Sequence, residues 1–513
     1  MYKSICLLLA IILVGCSGED NNNPSSSSSS SSSSARSASS VSSVSSSNNS
    51  QLNSHFSEVP NAFNFLVPYP VITLQKPAII DINGDGRDDI VLFGQGPLFL
   101  ASANSSCLSF LYVYVMQSDN TFVDETSRYV DTSSLDGCLS KYNIADINND
   151  GKKDIVFTTN REDGRSTIDP TVMNSQLTGL ISGSYMYTLV KFGIPNWYCA
   201  VGIGYDNNNK PFVTGNGYTN STSNMIYYFN NQTPSTTTTY PIYDNRFTVN
   251  QFEFFSSHNT NNTYTDLLVT NDGGNYTIQG YQQKSDGHWV STGSVDLAPL
   301  VMILKKTIGW TGDYFYNLPV SKYKNHNISI GSPESTCRMK IYPNGDDIVV
   351  FRSYGQILPD NIDENTILNQ TDYYSYPVNF FRAVTIKNGI TQEVQLNIDN
   401  EQDTYRGNYM DCFDVNNDGY DDIIMYPFTN DGLPFIYLNN KNGGFNYYGK
   451  NNLPSTSNIQ WQSDKYNDLY NYNSSIIHDF NHDGFTDILV FPANYGLNTS
   501  WINLRLFMGQ KIL

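Results

Sequence analysis

Apolar residues along this chain stand in short runs broken by turn residues, with one exception. The exception is Ile5–Val14, an unbroken apolar run close to the start. Beyond residue 16 no long segment repeats apolar residues at i, i+3, i+4 and i+7, so amphipathic helices are not expected. The recurring element is strand-like: brief β-branched and aromatic stretches, bounded by Asn, Gly, Ser and Asp. One arrangement repeats almost letter for letter. It reads DINGDGRDDIVLF from Asp81, DINNDGKKDIVF from Asp146, DVNNDGYDDIIMY from Asp414 and DFNHDGFTDILVF from Asp479. Three weaker echoes lie between. YDNNNKPFVTG surrounds Asp206, HNTNNTYTDLLVT ends its loop on Asp266, and IYPNGDDIVVF ends a shortened one on Asp347. Self-similarity at this period signals a solenoid, a propeller or an array.

Each unit offers a strand before the Asp-rich loop, an apolar strand after it, and a later hairpin such as PFIYLNNKNGGFNYY over Pro434–Tyr448. Four antiparallel strands make one propeller blade, so seven units predict an all-β, seven-bladed β-propeller over residues 56–513. The last unit stops near Leu506–Gly509, short of a fourth strand, while His55–Tyr69 holds a spare one. The N-terminal strand is therefore expected to complete the last blade, which removes exposed sheet edges. The segment from about Asp296 to His326 is expected to be an extra loop on one face.

Composition narrows the class. The chain has 513 residues and a net charge of −19, with no basic stripe, which excludes nucleic acid as a partner. Residues 17–55 are low-complexity and Ser-rich, with an unbroken Ser run over Ser25–Ser34. Such a segment buries too little apolar surface to offset its ordering entropy, so a disordered linker is expected. Lys3 and the run Ile5–Val14 form a signal-like segment too short to span a bilayer comfortably. Leu13-Val14-Gly15-Cys16 then resembles the lipobox of bacterial lipoproteins. That resemblance implies a signal peptide over residues 1–16, lipidation of Cys16 and attachment to the membrane through the lipid only. With Ser17 next, it also implies the outer membrane, on its periplasmic or cell-surface side. Of the five remaining cysteines, Cys107 and Cys138 lie in one repeat and form the best candidate disulfide. The alternative is that all five are small buried apolar residues.

The loop is built for a hard cation. Asp81, Asn83, Asp85 and Asp89 occupy positions 1, 3, 5 and 9, and Arg87 at position 7 offers its carbonyl. The same places are held by Asp146, Asn148, Asp150, Lys152 and Asp154. They are held again by Asp414, Asn416, Asp418, Tyr420 and Asp422, and by Asp479, Asn481, Asp483, Phe485 and Asp487. Oxygen donors in this number suit Ca2+, and about four sites are expected. An EF-hand would need Glu at position 12, where Leu92, Phe157, Met425 and Val490 stand.

These loops resemble the FG-GAP/VCBS repeat, the unit of integrin α-type propellers. The resemblance implies calcium in the hairpin loop between the first two strands of a blade. The middle units depart from it: Lys210 replaces an acidic ligand, His258 replaces the first Asp, and the Asp347 unit has lost its first half. Calcium is not expected in those three.

No zinc-protease, nucleophile-elbow or phosphate-loop motif occurs, and no catalytic residue is nominated. Six histidines are present: His55, His258, His288, His326, His478 and His482. His478 and His482, which flank the last loop, read as solvent-exposed loop residues. Trp197, Trp289, Trp310, Trp461 and Trp501 are candidates for sugar or protein contacts, Trp310 foremost because it lies in the insertion. The leading expectation is a non-enzymatic binding or adhesion module for a glycan or protein ligand. A polysaccharide lyase or hydrolase and a structural subunit of an envelope assembly are the alternatives.

Overall fold

The chain divides into two units, residues 1–51 and 52–513. A computed structural model describes residues 54–63, 73–74, 76–95, 109–131, 138–148, 150–160, 178–181, 188–191, 197–205, 210–217, 225–230, 233–234, 240–241, 249–259, 262–271, 277–284, 289–296, 302–304, 314–317, 327–358, 376–398, 407–427, 433–448, 453, 473–492 and 504–511. The signal-like segment, Cys16, residues 17–53 of the Ser-rich linker, Cys107, Asp206, Trp310, Trp461 and Trp501 lie outside these residues, while Ser54 and His55 at the expected linker's end belong to a strand.

The described residues are almost entirely strands, joined into seven sheets that follow one another along the chain in a β-propeller-like arrangement. The first sheet holds Ala78–Ile80, Asp89–Gln95, Ser109–Met116 and Phe122–Asp124, with Thr73–Leu74 at one edge. The second runs from Cys138–Ala145 to Thr188–Lys191, the third from Trp197–Tyr205 to Tyr240–Pro241, and the fourth from Val249–Asn259 to Trp289–Asp296. The fifth has six strands and the sixth, from Asn397–Ile398 to Gly444–Tyr448, has five. The last holds Asn473–His478, Asp487–Pro492 and Arg505–Lys511.

The apolar runs after the loops explain how sheets stack. A strand with one wet face alternates apolar and polar residues, whereas a strand covered on both faces reads as continuous apolar sequence. In Asp89–Gln95, Ile90 and Leu92 pack with Leu489, Phe491 and Leu506 of the last sheet. Their alternates Val91 and Phe93 pack with Ile155 and Phe157 of the second. Ile488 and Val490 likewise face Ile424 and Tyr426 of the sixth sheet, whose Ile423 and Met425 face Val350 and Ala383 of the fifth. Each fully buried aliphatic or aromatic side chain contributes about 1.5–3 kcal/mol, so these strands are the main hydrophobic glue between sheets.

The expected N-terminal closure is present. Ser54–Glu58 pairs antiparallel with Arg505–Lys511, in a register running from Ser54 opposite Lys511 to Glu58 opposite Phe507. Arg505 holds Glu58 through two 2.6 Å hydrogen bonds, and Val59 N–H donates to Leu506 O at 2.9 Å.

Two expectations are corrected. The insertion is not simply a loop. Met302–Leu304 and Tyr314–Asn317 pair with each other, and the second continues onto the long strand Asn327–Met339, extending the fifth sheet. Its short apolar and aromatic runs, Met-Ile-Leu and Tyr-Phe-Tyr, are strand-forming sequence, which the reading of the segment as a loop overlooked. The Asp266 echo is no nine-residue loop either. Val249–Asn259 and Asn262–Asn271 stay paired as far as Asn259 opposite Asn262, and Asp266 sits within the second strand opposite Phe255. The strand Asn397–Ile398 departs in another way, pairing parallel to Gly444–Phe445 where all the other pairs are antiparallel.

Candidate functional site

The four DxNxDGxxD loops share one hydrogen-bond frame. The first Asp accepts from the backbone ahead of it: Asp81 Oδ1 takes the Gly84 and Asp85 N–H groups at 2.7 and 3.1 Å, and Oδ2 takes Gly86 N–H at 2.9 Å. Asp146, Asp414 and Asp479 do the same to the glycine at position 6, at 2.9, 2.6 and 2.9 Å. Those glycines have φ of +86° to +87°, a conformation that costs other residues energy and lets the chain turn back on the first carboxylate. The position-3 amide oxygen accepts position 5 N–H, and the position-5 carboxylate accepts position 7 N–H at 2.9–3.1 Å. Arg87 pairs with Asp85, and Lys441 Nζ lies 3.3 Å from Asp418. A carboxylate offers about four lone-pair sites, so these contacts leave acceptor capacity at positions 1 and 5.

Position 9 behaves differently, in a way the sequence did not reveal. Asp89, Asp154, Asp422 and Asp487 have no exposed surface. Asp487 Oδ2 accepts Phe480 N–H at 2.9 Å and Oδ1 accepts Gly509 N–H at 2.8 Å. Asp422 does this with Val415 and Asn439, and Asp89 with Ile82 and Met116. Each of these three therefore ties the start of its loop to the end of the third strand of its own sheet. Burial pushes Asp89 up to about 7 and Asp422 and Asp487 up to about 8. The amide donors pull the other way, and the carboxylates at positions 1 and 5 add to the rise.

Position 8 faces the preceding sheet. Thr486 Oγ1 donates to Val415 O of the sixth-sheet loop at 2.6 Å, and Asp421 Oδ2 accepts Lys340 N–H from the fifth at 2.7 Å. In the first loop the partner is the last one. Asp88 N–H donates to Phe480 O at 2.8 Å, and Asp88 Oδ2 lies 2.6 Å from His478 Nε2 and 2.8 Å from His482 Nε2. Burial opposes ionisation of Asp88, but the two imidazoles outweigh it and hold its carboxyl below the usual range. His482 is raised, chiefly by its bond to Asp88. The two histidines are thus exposed in part, as expected, but joined through one carboxylate oxygen.

A second group joins the residues just before Ala78–Ile80 to the second and sixth sheets. Lys76 Nζ is 2.6 Å from both oxygens of Asp411 and 5.2 Å from the centre of the Tyr426 ring, while Tyr142 Oη donates to Pro77 O at 2.8 Å. Burial, then the charge of Asp411, holds the phenols of Tyr142 and Tyr426 well above their ordinary value. Such phenols stay protonated, so this group reads as a structural tie.

The remaining expectations fall as follows. Asp347 belongs to a tight turn in which its carbonyl accepts Thr385 Oγ1 at 2.7 Å. Trp289 packs edge-on against Phe212, with centroids 5.9 Å apart. The candidate pair Cys107–Cys138 lies partly outside the described residues. A disulfide joins Cys337 to Cys412, linking Asn327–Met339 of the fifth sheet to Gly407–Phe413 of the sixth.

Calcium fits the loops by donor chemistry. All their side-chain donors are hard oxygens. The buried position-9 carboxylates of three loops also remain hard to ionise despite two amide donors each, a deficit of positive charge that a cation relieves.

The FG-GAP-like repeat profile matches residues 75–157 and 414–490, the two stretches that contain all four loops. No curated protein matches the chain. Among solved structures, the crystal structure of BBS1N in complex with ARL6DN, soaked with lead, aligns with 89% of this chain and 97% of its own. The two share 7% identity with a TM-score of 0.39, a likeness that carries no argument.

Proposed function

We propose that this chain, which carries FG-GAP-like repeats at residues 75–157 and 414–490, is a calcium-stabilised, exported binding module on a seven-bladed propeller. The observation that carries the reading is the recurrence of one loop frame, with oxygen donors only, between the first two strands of four sheets. Asp81, Asn83 and Asp85, the Arg87 carbonyl and Asp89 hold the ion in the first loop, and the corresponding residues hold it in the other three. Ring closure is supported by the first loop resting on the last as the last rests on the sixth-sheet loop.

The four calcium loops fall in the first two and last two blades, which adjoin across the closure. They stiffen that arc and leave the third to fifth blades, the fifth of them six-stranded, to present a surface to a glycan or protein. The chain is anchored in the outer membrane through Cys16 and held off it by the Ser-rich segment.

Calcium binding and ligand binding are measured separately. Equilibrium dialysis should find about four ions per chain, and chelation should lower the unfolding temperature. At about 100-fold above its dissociation constant, each independent ion adds roughly 2.7 kcal/mol. No bound calcium together with an unchanged melting temperature refutes the assignment. A glycan array and protein pull-down at saturating calcium then test the binding function. New reducing ends or unsaturated uronides on incubation with polysaccharide replace it with an enzymatic one.

A further inference from the structure

The group His478–Asp88–His482 is made of different chemistry from the loops it joins. Asp88 occupies position 8 of the first loop, His478 ends the first strand of the last sheet, and His482 occupies position 4 of the last loop. Among the described residues these are the three of His, Cys, Asp or Glu whose ligand atoms all lie within 4.8 Å of one another. We propose that Asp88 Oδ2, His478 Nε2 and His482 Nε2 bind a divalent transition-metal ion of the zinc class, which pins the first loop to the last across the closure of the ring.

Distances, rigidity and access all favour it. Tetrahedral zinc with bonds of about 2.0–2.1 Å sets its ligand atoms roughly 3.3 Å apart. The two imidazole nitrogens now lie 2.6 and 2.8 Å from the carboxylate oxygen, so side chains need part by only about 0.5–0.7 Å to admit the ion. The backbone is already fixed. Asp88 N–H is bonded to Phe480 O, the His478 ring lies edge-on to Phe480 at 5.2 Å, and His482 sits in a loop whose turn is set by its φ of +55°. Exposure rises from Asp88 at 16% to His478 at 36% and His482 at 53%, so the group opens to solvent on one side. Three protein ligands with an open fourth position, filled by water, is the pattern of accessible zinc sites.

Donor type separates this ion from calcium. Imidazole nitrogen selects zinc, copper or nickel over calcium, which takes oxygen ligands. The inference therefore does not rest on the calcium reading, and the two fail separately.

The test uses the full chain without an affinity histidine tag, stripped of metal and returned to saturating Ca2+. Titration with Zn2+ should then show one saturable ion per chain in the micromolar range or tighter. His478→Gln, His482→Gln and Asp88→Asn should each weaken zinc binding by at least about tenfold. Calcium stoichiometry should be unchanged in all three, and His55→Gln should leave the zinc affinity unaltered. Co2+ bound to the parent chain should show the visible absorption of a low-coordinate nitrogen- and oxygen-ligated ion, a readout that does not depend on any variant folding. Absence of saturable zinc binding overturns the proposal and leaves a hydrogen-bonded triad. Zinc affinity equal to the parent's in all three variants overturns it too, by sending the ion to another site.

Discussion

Gly509→Ala tests whether the closing strand is held by close backbone approach. Gly509 lies in Arg505–Lys511, opposite Phe56 of the N-terminal strand, and its N–H donates to buried Asp487 Oδ1 at 2.8 Å. A Cβ at this position would stand 2.3 Å from the backbone oxygen of Thr486 and 3.2 Å from Phe485 Cβ. The strand must withdraw by about 1 Å to reach an ordinary contact, which carries the amide beyond hydrogen-bond range of Asp487. Losing a bond to a charged acceptor costs about 1.5–3 kcal/mol, and overpacking adds about 1–3 kcal/mol. The expected loss is therefore roughly 2.5–6 kcal/mol. It should appear as a lower urea midpoint and as faster proteolytic release of the segment before Glu58. Gly484→Ala is the comparison. It has open space around the new Cβ and a φ of +87°, so it should cost only backbone strain of about 1–2 kcal/mol and leave the N-terminal strand protected. A Gly509→Ala midpoint within about 0.5 kcal/mol of the parent, with unchanged protection, refutes the reasoning.

Further outcomes follow from the same contacts. Asp487→Ala strands two buried amides, Phe480 N–H and Gly509 N–H, and should cost about 2–6 kcal/mol in calcium by urea unfolding. Asp479→Ala, whose partners are exposed, should cost less than that once chelator is present. Reduction, or Cys337→Ser, should lower stability by about 2–5 kcal/mol, and a disulfide-linked peptide pair should be found by mass spectrometry. In chelator, pH should act in a defined direction. Asp89, Asp422 and Asp487 titrate at about 7, about 8 and about 8 when folded, against 3.8 for the unfolded chain. The native state then holds protons that the unfolded chain has released, so stability falls as pH rises from about 4 to about 8. Calcium should flatten that slope, and a metal-free melting temperature that rises with pH over this window counts against it.

What was legible in the sequence was whatever is local. The loop letters, the apolar run after them and the spare strand near His55 are contiguous, and each dictated its local structure. Continuous runs such as Ile90–Phe93 even carried the stacking of sheets, because only a strand covered on both faces can be apolar at every position. What was not legible depends on partners far along the chain. Asp88 and His478 are separated by 390 positions and Lys76 and Asp411 by 335, and no spacing rule joins them. Cys337 and Cys412, 75 positions apart, belong to different sheets, so their disulfide could not be read from one repeat. The Asp266 unit was misjudged as a loop, since a long strand pair and a nine-residue loop read alike once the Asp residues are lost.

The motif itself conflates two duties that the structure separates. Positions 1, 3 and 5 hold partly exposed oxygens ringed by their own loop amides, the arrangement expected of cation ligands. Position 9 is buried and bonded to the loop start and to the third strand, so it builds the sheet whether or not a cation is present. Two of the three degenerate units keep an Asp at the last position, Asp266 and Asp347, without the nine-residue loop before it, and the Asp206 unit has Thr214 there. Position 8 then determines how a blade meets the one before it: Thr486 through a hydroxyl, Asp421 through a backbone amide, and Asp88 through two imidazoles. Among these described position-8 contacts, only that of Asp88 has titratable side chains on both sides. The chain passes there from Ser54–Glu58 of the last sheet into the first, while the last sheet itself is completed only by the non-covalent pairing of Ser54–Glu58 with Arg505–Lys511, so an ion beside that pairing would reinforce a join held by hydrogen bonds alone.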